Sequence, residues 1–279
     1  MSSIVFWYAS GWTFFVGAAL MITAVFVPTG RFRWATILVV VGLLAVVPSS
    51  TPPQRFVWFP MALVTGLWWR SRIRDNLPRA VMIMFWLTLI LGELPYHFTP
   101  TSATRWSRPI KVAVIGHSLT AGLSETKATN WPKKLASRAG ISTVHDFAVE
   151  GATCRTALAQ AGRIPDDADV VVVGIGGNDL LGSTSLEEFK RDYDVVLAKA
   201  WQPDCVLIGL ELPLPPFHNS WGDAQRRIAF NHGVLLIPKW RLMALLSDPK
   251  NTVDSIHPTQ AGQDALGELV WSVVGPAIK

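Results

Sequence analysis

The sequence contains little charge and few cysteines. Of its 279 residues, 16% are charged and two are cysteines, whereas about a quarter of the residues in an ordinary soluble domain are charged. Two cysteines exclude a scaffold held by several disulfides and a four-cysteine zinc site. No sequence period recurs, which excludes a repeat array. The chain is half hydrophobic and long enough for one or two domains.

Lysine is absent from the first 110 residues. That part has nine Arg, one Asp and one Glu, a net charge of +7, whereas residues 111–279 carry −2. A nucleic-acid-binding protein would place its basic residues in a patch on a folded domain. Here the arginines flank apolar runs, as they do in membrane proteins. We therefore expect a membrane as a partner and no nucleic acid.

Charged residues are also missing from residues 1–30, while apolar runs are long. The run Ile4–Val27 has 24 residues, enough to cross a bilayer, and it lacks the basic start and cleavage site of a signal peptide. Three shorter runs follow, at Trp34–Val47, Phe56–Trp69 and Ala80–Gly92. Runs of this length also occur as buried helices of soluble proteins. Their succession, with tryptophans at several run ends, predicts a membrane region over 1–95 with about four transmembrane helices.

The arginines also predict an orientation. The first loop carries Arg31 and Arg33, and the third carries four arginines, whereas the second carries only Arg55. The positive-inside rule places the first and third loops in the cytoplasm. With four spans, both termini then lie outside, so we expect a multi-pass membrane protein with an extracytoplasmic C-terminal part. If one short run did not cross, that part would lie on the other side.

After a linker at 96–110, short apolar runs alternate with helical stretches. Five strands are predicted, at Lys111–Ile115, Thr143–Val149, Asp169–Ile175, Cys205–Leu210 and Val234–Pro238. The helices are predicted over 131–139, from 154, over 186–201, over 223–231 and over 260–274. This alternation predicts an α/β fold with a parallel sheet and helices on both faces. Ligands of such sheets bind at the carboxyl ends of the strands.

Four short motifs lie at such positions or in loops. Ser118 follows the first strand within GHSL (116–119), Gly151 follows the second, and Asn178 follows the third within GGND (176–179). Near the C-terminus, DSIH (254–257) places Asp254 three residues before His257, so the carboxylate can orient the imidazole. Each motif alone is compatible with a helix cap or an ordinary turn. Neither the dinucleotide nor the phosphate-loop glycine pattern is matched.

Together, in this order, the four motifs resemble those of the SGNH hydrolases, also called the GDSL lipase/esterase family. The resemblance covers about 111–274 and is strongest to the small bacterial thioesterase/lysophospholipase type, because of Trp131-Pro132, GGND and His257-Pro258. It implies a flavodoxin-like SGNH hydrolase domain at 111–279 that needs neither cofactor nor metal.

The resemblance also implies catalytic roles. Ser118 would be the nucleophile, His257 the general base and then acid, and Asp254 the residue that orients His257. The oxyanion hole would consist of the backbone N–H groups of Ser118 and Gly151 and the side-chain amide of Asn178. The first motif departs from the family at His117, where the family name has Asp. We expect His117 to be structural, with a second proton acceptor beside Ser118 as a minor hypothesis.

The sequence thus predicts a membrane-anchored serine esterase that cleaves acyl ester or thioester bonds through an acyl-enzyme. Lysophospholipid or fatty-acyl esters are the favoured substrates. The alternatives are an O-acetylesterase of envelope polysaccharide, an acyltransferase, or a catalytically silent membrane binding module. Cys154 and Cys205 could pair outside the cytosol, but free thiols are favoured because nothing in the sequence brings them together. The sequence leaves the oligomeric state open.

Overall fold

The computed structural model describes residues 3–49, 51, 60–67, 78–122, 128–254 and 256–278. The chain divides into two compact units. One consists of Ile4–Phe98 with Pro213–Asp223, and the other of Thr99–Leu212 with Ala224–Lys279 and the first three residues. Part of the predicted run Phe56–Trp69, Arg55 and the third-loop arginines at 70–74 lie outside the described residues.

The first of these units is helical. Its helices are α1 Ser3–Ser10, α2 Trp12–Phe26, α3 Phe32–Val46, α4 over 60–67 and α5 Pro78–Glu93, which continues as a 3₁₀ turn at Leu94–His97. Glycines let α2 and α3 pack closely, since a Cβ atom on Gly17 would lie 2.6 Å from the carbonyl oxygen of Gly42. Small residues at such contacts are common between membrane helices.

The apolar run Ile4–Val27 does not form one continuous helix. Gly11 adopts a φ of 86°, in the left-handed region, and α1 and α2 are bent by 87° at this break. Within the described residues, Arg79–His97 is long and apolar enough to cross a membrane, and α1 with α2 is a second candidate if the bent pair is one span. The prediction of about four spans is therefore supported only in part.

The other unit is built on a five-stranded parallel sheet in the order β2-β1-β3-β4-β5. Its strands are β1 Ile110–Gly116, β2 Ile141–Asp146, β3 Val170–Gly174, β4 Val206–Leu210 and β5 Leu235–Ile237. The two central strands β1 and β3 are rich in Val and Ile and almost wholly buried, as expected for a parallel sheet covered on both faces. The predicted α/β fold with a flavodoxin-like strand order is confirmed.

Eight helices of the described residues follow these strands along the chain. They are α6 Ser118–Ala121, α7 Trp131–Leu135, α8 Cys154–Ala161, α9 Gly177–Leu181, α10 Leu186–Ala200, α11 Asn219–Asn231, α12 Lys239–Ser247 and α13 Gln260–Val274. Helix α13 buries Leu266 and Val270 in one cluster with alternate residues of β1 and β3. Helix α10 covers the other face, where Phe189 and Tyr193 are buried.

The strand order reverses beside β1, and this places the site. The chain passes from β1 to β2 on one side and then to β3 on the other. Doubly wound sheets bind ligands at the carboxyl ends of the strands that flank such a reversal. Those ends lead directly into the GHSL motif after β1 and the GGND motif after β3.

Candidate active site

The turn that carries Ser118 follows β1 and is buried. Ser118 is the first residue of α6 and is 5% exposed. Two residues earlier, Gly116 is held by the buried side chain of Gln160, which accepts from its N–H (2.9 Å) and donates to its carbonyl (3.1 Å). On the other side, Gln263 Nε2 donates to the carbonyl of Leu119 (3.3 Å). Two buried glutamines that were not predicted therefore fix the turn.

His117 caps the short helix that carries Ser118. Its Nδ1 accepts the N–H of Leu119 at 3.4 Å, which leaves the ring proton on Nε2. Burial, and secondly the nearby His257, lower the pKa of His117 to about 4. The imidazole is therefore neutral near pH 7. These contacts favour the structural interpretation of His117 over a second proton acceptor.

Asp254 and His257 form a direct pair in the loop between α12 and α13. Asp254 Oδ2 lies 2.7 Å from His257 Nδ1, and Oδ1 accepts the backbone N–H of His257 (2.8 Å) and of Ile256 (3.0 Å). These hydrogen bonds lower the pKa of Asp254 to about 2. The carboxylate is thus ionised at neutral pH, and it directs the proton of the ring to Nδ1. Nε2 of His257 is then free to act as a base.

The loop that carries His257 leads into α13, where Gln263 donates to the carbonyl of Leu119 at 3.3 Å, so this loop lies near the turn that carries Ser118. Among the described residues, Ser118 Oγ and His257 form no hydrogen bond. Catalytic hydrogen bonds are often long in unliganded sites and tighten when substrate binds. The structure therefore brings Asp254 and His257 together and places Ser118 nearby.

The two other predicted oxyanion residues lie after β2 and β3. Gly151 has a φ of 74°, a conformation that favours glycine. Asn178 is in the first turn of α9, and its Nδ2 donates to the carbonyl of Ala152 at 2.9 Å. An amide nitrogen carries two hydrogens, so the second hydrogen of Asn178 remains available for a ligand.

The cysteines and the acidic groups provide no metal site in the part of the chain that the structure describes. Cys154 and Cys205 are both free. Burial raises the pKa of the Cys154 thiol far above its usual range, and the carboxylate of Asp179 raises it further. Cys154 is therefore a neutral thiol.

In a comparison with known protein families, one family matches this chain. The profile of the GDSL-like lipase/acylhydrolase family matches residues 114–265, from β1 into α13. The crystal structure of TesA is similar, with 24% identity, a TM-score of 0.50, and coverage of 60% of this chain and 99% of that chain. The psychrotrophic esterase EstA from Pseudoalteromonas sp. is also similar, with 14% identity, a TM-score of 0.51, and coverage of 60% and 97%. These two structures share the fold. No curated protein sequence matches the chain significantly.

Proposed function

This chain belongs to the GDSL-like lipase/acylhydrolase family and is a serine hydrolase of ester bonds, and on that premise we propose that it is a membrane-anchored esterase of lysophospholipids or fatty-acyl esters, including thioesters. The observation that carries the proposal is the Asp254–His257 pair beside the Ser118 turn. The same groups would serve either type of acyl bond, since both are cleaved through an acyl-enzyme.

The proposed reaction has two steps. His257 Nε2 takes the proton of Ser118 Oγ as that oxygen attacks the acyl carbon, and the resulting imidazolium is stabilised by Asp254. The imidazolium then protonates the leaving group, which leaves the acyl chain on Ser118. A water molecule, deprotonated by His257, cleaves this ester and restores the serine.

Three donors would stabilise the oxyanion of both steps. They are the backbone N–H groups of Ser118 and Gly151 and the free amide hydrogen of Asn178. Such donors act on charge that exists only in the transition state, and the loss of one costs about 2.7–4 kcal/mol. The hydrogen bond from Asn178 to Ala152 supports this role because it fixes the direction of the remaining N–H.

The preference for apolar acyl groups is supported by the loops that carry the site residues. Exposed large apolar side chains occur within four residues of Gly151, Asn178 and His257 along the chain, at Val149, Leu181, Val253 and Ile256. Each methylene that leaves water contributes about 0.8 kcal/mol. Long acyl chains are therefore expected to react better than acetyl.

Membrane anchoring is supported by the outer surface of the helical unit. Large apolar residues such as Phe26, Leu44 and Met84 are 63–70% exposed, while Gly17 and Gly42 lie inside. A large exposed apolar surface marks contact with a membrane or another protein. We place the hydrolase part outside the cytoplasm. Reaction of a cysteine introduced at exposed Lys250 with an impermeant maleimide in intact cells tests this side, because no reaction would indicate the cytoplasm.

The substrate test is a rate series on nitrophenyl esters from acetyl to long-chain acyl, with detergent-solubilised protein. Rates should rise with chain length and disappear in Ser118→Ala. Activity confined to acetyl esters would favour a polysaccharide O-acetylesterase. The absence of Ser118-dependent activity at every length would contradict the esterase and favour a transferase or binding role.

A further inference from the structure

Two neighbouring side chains of α9 hold the turn that precedes α8. Asn178 donates to the carbonyl of Ala152, and Asp179 Oδ2 accepts the N–H of Cys154, both at 2.9 Å. The two contacts lie on either side of Thr153, so the turn is held at both ends. At Gly151, an added Cβ atom would meet nothing within 4 Å. Backbone contacts on both sides therefore position Gly151: the N–H of Ala152 donates to the carbonyl of Val149 at 3.2 Å, and the contacts from α9 hold the residues that follow.

Asp179 is buried, with 1% of its surface exposed. Burial raises its pKa, which shows that the carboxylate is kept in an unfavourable environment. Helix α8 already has a local cap, because the Thr153 side chain accepts the N–H of Thr156. The N–H of Cys154 is a different donor of the first turn, and it donates to Asp179 of α9. This contact joins two segments 25 residues apart.

We propose that Asp179 is a positioning residue for the oxyanion hole. By holding Cys154 while Asn178 holds Ala152, it fixes the N–H of Gly151 and the free amide hydrogen of Asn178 relative to Ser118. The inference rests on the proposed function, because it requires that these donors bind the oxyanion. Asp179 is 1% exposed and its carboxylate accepts the N–H of Cys154, so it would act through the turn.

Asp169 provides a matched control. It lies at the other end of β3, is 7% exposed, and accepts the N–H of Lys111 at 2.8 Å. Asp169 and Asp179 are both buried and each accept a backbone N–H, and Asp169 also accepts two hydrogen bonds from Arg108, at 2.6 and 3.0 Å. Only Asp179 is next to the site.

The test compares Asp179→Ala, Asp179→Asn and Asp169→Ala in ester hydrolysis and in thermal unfolding. Asp179→Ala should lower kcat about a hundredfold with KM nearly unchanged, since a displacement of about 1 Å can have that effect. Asp179→Asn keeps an oxygen that accepts the N–H of Cys154 and should recover most of kcat. Asp169→Ala should lower the unfolding temperature but leave kcat within about twofold. Equal kcat in the two alanine variants would overturn the proposal.

A double-mutant cycle with Asn178→Ala tests the route of the effect. If Asp179 acts through the turn, the double variant should be barely slower than the worse single variant. Multiplying effects would contradict the proposal. If Asp179→Ala does not fold, Cys154→Pro removes the same N–H from the other side, at a helix position that tolerates proline. It should then lower kcat with KM retained, and an unchanged kcat would overturn the proposal.

The Ser118→Ala variant distinguishes failure of the proposed function from failure of the role proposed for Asp179. Full activity in that variant would reject the proposed function, and with it the oxyanion donors. If Ser118→Ala is inactive while Asp179→Ala behaves like Asp169→Ala, only the role of Asp179 is rejected.

Discussion

The carboxylate of Asp254 binds His257 at two atoms, the backbone N–H at 2.8 Å and the ring Nδ1 at 2.7 Å. The first contact fixes the loop and the second fixes the ring, so one side chain determines both the position of His257 and its tautomer. Because these bonds lower the pKa of Asp254 to about 2, the carboxylate stays ionised throughout the pH range in which an esterase is assayed.

Asp254→Asn should lower kcat by about 10³–10⁴-fold, because an amide in place of the carboxylate favours the wrong tautomer of the ring. Asp248 is a matched control, since its side chain also accepts a backbone N–H two residues on, from Lys250 at 2.9 Å. Ester hydrolysis by Asp254→Asn and Asp248→Asn measures the difference. A kcat of Asp254→Asn close to that of Asp248→Asn would contradict the assigned role.

His117→Asp should shift the acid limb of the kcat/KM profile to higher pH. A carboxylate near His257 would stabilise its imidazolium form, whereas the present imidazole at 117 is neutral. Because His257 must be unprotonated to act as a base, activity is then lost at a higher pH. A pH series on nitrophenyl acetate or butyrate detects the shift, with His117→Asn as the neutral control. Identical pH profiles of kcat/KM for His117→Asp and His117→Asn would contradict this prediction.

The lowered pKa of His117 also predicts a pH dependence of stability. In the folded protein this pKa is about 4, against 6.5 for an unperturbed histidine. The unfolded chain therefore binds a proton between pH 6.5 and 4 that the folded chain does not. The free energy of unfolding should fall as the pH decreases through this window, by up to about 3 kcal/mol, and should not change through this group above it. Denaturant unfolding of wild type and His117→Gln at several pH values measures this effect. An unfolding free energy that falls equally in both proteins as the pH decreases would refute the prediction.

Gln160→Leu should destabilise the protein by about 2–4 kcal/mol, because it leaves both the N–H and the carbonyl of buried Gly116 without their partner. The loss of unfolding free energy should be larger than the loss in the control variant Gln202→Leu. Gln202 is a half-buried glutamine outside the site. Activity per folded molecule should also fall, since Gly116 precedes Ser118 by two residues. An unfolding free energy equal to that of wild type would show that Gln160 does not hold the strand end.

The fold followed from local sequence patterns. The Val-rich runs predicted all five strands, and α13 was predicted with the observed bounds, 260–274. The predicted ends of the strands and helices were less accurate. Strand β2 ends at Asp146 and not at Val149, although the N–H groups of Phe147 and Val149 still donate to the carbonyls of Val114 and Gly116. Helix α11 begins at Asn219, four residues before the prediction.

The residues that support the site were missed because their contacts are not local. Gln160 and Gly116 are 44 residues apart, and Asp179 and Cys154 are 25 apart, so no periodicity reveals them. A polar Gln160 among the buried alanines of α8 was the available signal. Likewise, Ser10-Gly11 inside the first apolar run is a dipeptide typical of turns, and it marks the break between α1 and α2.

The most direct test of the account is the site of covalent labelling by a fluorophosphonate probe, mapped by mass spectrometry on the detergent-solubilised full chain. We predict an adduct on the peptide that contains Ser118. We also predict no adduct in Ser118→Ala and much slower labelling in His257→Ala. An unlabelled Ser118 in protein that hydrolyses esters, or hydrolysis that persists in Ser118→Ala, would contradict the account.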